Sequence, residues 1–182
     1  MIKTAKEKIG FHEAGALNMS ALEFMPEVRE MCESDRCRNY NRCWVCPPAC
    51  GTIEEISEKI KNYSGGMIVQ SIGQMEDEFD VETMLETEQL QKERFFQLIE
   101  YIRQEDPACL PMSAGACTIC GKCSYPDEPC RFPDKAYPSM EAYGLFVTRV
   151  CEQSGMRYYY GKNTITYTSC VLLSEILEEG KE

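Results

Sequence analysis

"TITYTSCVLL", residues 164–173, alternates Thr with apolar or aromatic side chains and then runs apolar from Cys170 to its end. A period of two with β-branched residues fits a pleated strand, not a helix, so the stretch predicts a strand. "RYYYG" (157–161) just before it reads as a partner strand, joined to it near Gly161-Lys162-Asn163.

Outward from this pair, "MIVQSIG" (67–73) reads as a buried strand and "ACLPMSAG" (108–115) as a short one. Residues 82–105 between them predict the main helix, with Leu85, Phe95, Leu98, Ile99 and Ile102 on its apolar side. Thr52 and Glu55 form a capping box that opens a helix carrying Ile53, Ile56 and Ile60, closed by Gly65-Gly66. Ser139 caps a helix from about Met140 to Ser154, with Gly155 at its end. Residues 1–31 predict one or two short helices interrupted by Pro26. This order predicts one α+β domain over residues 1–182. It has a small mixed or antiparallel sheet, helices on one face, and a split βαβ arrangement of the ferredoxin-like kind. Two cysteine-rich cluster loops interrupt it.

The 182 residues are 43% hydrophobic, enough for a packed core. Nineteen basic against thirty acidic residues give a formal charge of −11, which argues against nucleic acid or an anionic membrane and suits a basic redox partner. "EDEFD" (76–80) and the C-terminal "EILEEGKE" (175–182) read as solvated surface. The opening MIKTAKEKIGFHEAG is charged and has no apolar run, so neither a signal peptide nor a membrane anchor is expected there. Twelve cysteines in such a chain point to the cytoplasm, where thiols stay reduced, and to metal ligation over disulfides.

Four of these thiols lie in "CTICGKCSYPDEPC": Cys117, Cys120, Cys123 and Cys130. Each cysteine of a four-iron cluster binds a different iron, so evenly spaced thiolates can wrap it. A single zinc ion needs four sulfurs about 2.3 Å from one centre, usually from two separate knuckles. The triple C-x2-C-x2-C therefore points to a 4Fe-4S cluster, with zinc as the alternative. Six residues separate Cys123 from Cys130, against three in the bacterial ferredoxin run, so Cys130 is expected to close the same cluster. The other group, "CESDRCRNYNRCWVCPPAC", supplies Cys32, Cys37, Cys43, Cys46 and Cys50, one thiol more than a cubane takes. Arg36, Arg38 and Arg42 can offset thiolate charge there, and Trp44 can screen it from water or serve as a core aromatic.

The stretches "MCESDRCRNYNRCWVCPP" and "AGACTICGKCSYPDEPCRFPDKAYPSMEAYG" together resemble a family of cysteine-rich predicted metal-binding proteins. That family is classed as a domain of unknown function and known mainly from anaerobic bacteria and archaea. The resemblance spans most of the chain and implies iron–sulfur binding without a known reaction. By position it marks Cys32, Cys37, Cys46 with Pro47-Pro48, Cys117, Cys120, Cys123 and Cys130. Cys43 and Cys50 stand as additions, and Asn41 occupies a place where glycine is usual.

Cys151 and Cys170 lie in apolar segments and read as buried inert thiols; any of Cys109, Cys151 and Cys170 could complete the first site if its segment folds back. His12, the only histidine, reads as structural or solvated, and no phosphate-binding or dinucleotide loop is present. The sequence thus leads to a cytosolic protein with two iron–sulfur clusters that transfers electrons to a redox protein. An enzyme with an open-site cluster and a zinc-stabilised interaction module are the alternatives.

Overall fold

A computed structural model describes residues 1–175, so all but the first residue of the C-terminal acidic run lies outside the described residues. A short helix α1 (Ile2–Thr4) passes into a π-helical turn (Ala5–Ile9), followed by β1 (Glu13–Ala16), α2 (Pro26–Glu33) and α3 (Ile53–Ile60). Then come β2 (Gly65–Gln74), α4 (Val81–Ile102), β3 (Leu110–Met112), α5 (Val147–Gln153) and β4 (Thr164–Leu173). The sheet order is β1-β2-β4-β3, with every neighbouring pair antiparallel. β2 and β4 pair along their whole length, from Gly65 opposite Leu173 to Gln74 opposite Thr164. β2 and β3 therefore run in the same direction with β4 between them and α4 as the connection, which is the expected split βαβ unit.

The expected α+β class and antiparallel sheet are what the structure shows. Helices expected on one face lie on both. Met67, Val69, Val171 and Leu173 pack against Phe95, Leu98, Ile99 and Ile102 of α4. On the other side Ile68, Met112, Cys170 and Leu172 pack against Ile56 of α3 and Val147, Val150 and Cys151 of α5. The reason is in the strands: β2 and β4 are apolar at consecutive positions, so both faces need cover. Fully burying each of these large side chains contributes roughly 1.5–3 kcal/mol. Near its start α4 lies almost on the sheet backbone. A Cβ at Gly73 would sit 2.2 Å from Oγ1 of Thr87, so only glycine lets the helix approach there.

Three local expectations change. "RYYYG" is not a strand: β3 covers β4 only from Cys170 to Leu172, yet the segment does not pair with the open remainder, because the buried Gln70 side chain donates to its Arg157 carbonyl at 2.9 Å, and Tyr159 is 69% exposed. Its Tyr160 instead donates a 2.8 Å hydrogen bond to Oε1 of the buried Gln70. The helix over 140–154 breaks at Gly144, whose φ of 84° ends a 3-10 turn (Glu141–Tyr143) before α5 begins. Pro26 starts α2, where its missing N–H costs nothing, and does not interrupt a helix. The Thr52–Glu55 capping box is present, with Thr52 N donating to Glu55 at 2.8 Å and Glu55 N to Thr52 Oγ1 at 3.2 Å.

Candidate metal centre

The first cysteine loop leaves the end of α2 and returns to α3 through a chain of tight turns. Asp35, Arg38 and Asn41 hold φ values of 51°, 59° and 52°, the left-handed region. Asn41 tolerates this conformation better than most residues. Asp35 stabilises the turn through both carboxylate oxygens, accepting from Tyr40 N at 3.0 Å and pairing with Arg42 at 3.0 Å. Asn41 N donates to Pro47 O at 2.8 Å, closing the loop upon itself.

This loop does not gather its five thiols at one place. Cys32 and Cys50 share the surroundings of Arg29, whose Nη1 lies 3.7 Å from the Cys50 sulfur. The same guanidinium donates to Ala142 O at 2.5 Å and Gly51 O at 2.9 Å, fastening α2 to the turn before α5. Burial raises both thiols, Cys37 adds to the rise at Cys32, and the Arg29 charge opposes it at each. Cys37 is exposed beside them.

Cys43 is buried, 5% exposed, and turns toward the other loop. It lines a cavity of about 170 Å³ together with Cys117, Cys120, Cys123 and Cys130. Its thiol shares hydrogen bonds with those of Cys117 and Cys123, and on its own loop with Cys46. The Cys117 contact acts to lower the Cys43 thiol, yet the Cys46 contact and burial outweigh it and push the thiol up to about 11. Cys117 is raised in turn, first by its hydrogen bond to Cys43 and then by burial. Cys123 moves down: burial opposes this, but the backbone N–H groups of Tyr125 and Trp44 donate to its sulfur.

The two loops are docked on one another by more than sulfur. Trp44 Nε1 donates to Glu128 O at 3.0 Å, and its ring meets Tyr125 edge-on at a centroid distance of 4.9 Å. Tyr125 OH donates to Asn41 Oδ1 at 2.8 Å. Trp44 is thus neither a core residue nor free surface; it is the clasp between the loops. From beneath, Lys92 of α4 donates to Ala116 O at 2.7 Å and to Glu88, so a nearly buried ammonium holds the residue before Cys117. Its charge also favours the Cys117 thiolate. No sequence signal had singled out Lys92, because a charged residue on a long helix reads as solvated face.

Cys109, Cys151 and Cys170 are buried in the two cores flanking the sheet and join neither thiol group. His12 Nδ1 accepts the Ile72 N–H at 2.8 Å, a structural role on the sheet edge. Arg36 and Arg38 are exposed. Among the described residues, no three His, Cys, Asp or Glu converge in the way that holds a single metal ion. The donor set is nevertheless chemically coherent, since soft thiols with no imidazole or carboxylate among them suit zinc or iron–sulfur clusters.

The chain matches, over residues 15–173, the model of the family described as predicted metal-binding protein (DUF2284). No curated protein and no solved structure matches it. No helix among the described residues is long and apolar enough to cross a membrane.

Proposed function

We propose, for a chain that belongs to this family of predicted metal-binding proteins, that the metal is iron held with sulfide in two clusters of the 4Fe-4S type. The protein serves as a cytoplasmic electron carrier for a basic redox partner. The observation that carries this reading is the cavity walled by Cys43, Cys117, Cys120, Cys123 and Cys130 beside a separate set of thiols around Arg29. Sulfurs spread over a cavity wall suit a cluster in which each iron takes one thiolate better than one zinc ion drawing four sulfurs to a point. Such clusters supply one-electron chemistry when bound. The chain's part is to set their surroundings. Arg29 places a cation against the sulfur of Cys50, and the N–H groups of Tyr125 and Trp44 donate to Cys123; both features favour the more reduced state.

The acidic surface gives the expected partner its sign. Anaerobically isolated protein titrated with dithionite and followed by EPR tests the role. Two reversible one-electron reductions support it, and a protein with no signal in either state contradicts it.

A second reading, an open-site enzyme, is favoured by the first group alone, where Cys32 and Cys50 lie near Arg29, Cys37 lies near Cys32, and Cys46 is hydrogen-bonded to Cys43.

A further inference from the structure

Resting on that reading, we infer that Cys43, although carried by the first cysteine loop, is a ligand of the centre in the second, completing the triple Cys117, Cys120 and Cys123. Three observations converge on it. Cys43 is the most deeply buried thiol of its loop, and it lines the second loop's cavity, which Cys32, Cys37, Cys46 and Cys50 do not. That cavity is walled by all three cysteines of the triple, and hydrogen bonding links the Cys43 thiol to those of Cys117 and Cys123. Its neighbour Trp44 fixes that placement twice: the indole binds Glu128, and the backbone N–H donates to the Cys123 sulfur.

The chemistry fits the spacing. Three cysteines in C-x2-C-x2-C occupy three corners of a cubane, and in ferredoxin runs the fourth thiolate for such a triple comes from a distant part of the chain. Cys43 provides it here, seventy-four residues before Cys117 in the sequence. Cys130 then stands by as a fifth thiol on the cavity wall. Cys32, Cys37, Cys46 and Cys50 are left for the first centre, a full set of four. Because the second centre is tied to both loops, neither loop can open without loosening it.

The test uses full-length protein carrying Cys32→Ser and Cys37→Ser, which disables the first centre, isolated anaerobically and assayed for iron and zinc. Adding Cys43→Ala is expected to lower the remaining metal at least five-fold, while adding Cys50→Ala leaves it unchanged. Metal fully retained after Cys43→Ala, with the visible spectrum unaltered, overturns the assignment and leaves the iron–sulfur reading standing. Zinc in place of iron, lost on Cys43→Ala, overturns the iron–sulfur reading and leaves the ligand assignment standing. A second measurement covers misfolding of the variants: wild-type protein stripped of metal is oxidised with diamide and its disulfides mapped by mass spectrometry. Cys43 linked to Cys117 or Cys123 supports the assignment, and Cys43 linked only to Cys46 or Cys50 overturns it.

Discussion

The indole nitrogen of Trp44 donates a 3.0 Å hydrogen bond to the carbonyl of Glu128, joining two loops that lie 84 residues apart. With the edge-on contact to Tyr125 and the Tyr125–Asn41 hydrogen bond, this bond links the loops independently of sulfur. An aromatic pair and one hydrogen bond together contribute about 1–3 kcal/mol. Trp44→Ala is therefore expected to release metal roughly ten-fold faster in a chelator-exchange assay, a factor worth about 1.4 kcal/mol. Trp44→Phe, which keeps the ring and loses the donor, should fall between. Exchange at the wild-type rate in Trp44→Ala would show that the loops are held by sulfur alone.

Lys92 supports the second loop from the side of the sheet. Replacing it with Met removes the cation that faces Glu88 and leaves the Ala116 carbonyl without its partner. The expected loss is about 1–3 kcal/mol in denaturant unfolding, the range for an unpaired buried polar group. Adding Glu88→Gln should restore part of it, because the uncompensated carboxylate is then gone. Equal stability in the single and double variants would mean the carboxylate carries none of the effect.

His12 gives the fold a pH dependence. Burial, then the Arg94 charge, lower its affinity for a proton in the folded chain, and its Nδ1 must stay unprotonated to accept the Ile72 N–H. The unfolded chain binds that proton more readily. The stabilisation is therefore complete above the ordinary histidine value near 6.5 and is lost as pH falls from there through the lowered folded value. Unfolding midpoints measured from about pH 7.5 down to about pH 5 should fall more in wild type than in His12→Ala. Parallel profiles in the two proteins would remove His12 as the cause.

Much of the sheet was legible because its strongest signals are local. The apolar runs at 67–73 and 164–173 and the stripe from Phe95 to Ile102 each dictate one element by their own periodicity. β1 was not legible: Glu13–Ala16 is four residues of weak strand propensity, and it is a strand only because β2 offers it an edge. "RYYYG" failed for the opposite reason, a strong local pattern overridden by a tertiary contact: the buried Gln70 donates to Arg157 O and accepts from Tyr160 OH. At the site, spacing singled out nine thiols in two loops. It did not bring Cys43 to the second loop's cavity, since that placement depends on how Trp44, Tyr125 and Asn41 hold one loop against the other.

The central claim, two iron–sulfur clusters on these thiols, is tested most directly by the iron and acid-labile sulfide content of protein isolated without oxygen. Two 4Fe-4S clusters predict about eight iron and about eight sulfide per chain in a brown protein. A colourless protein with stoichiometric zinc and no sulfide would contradict it.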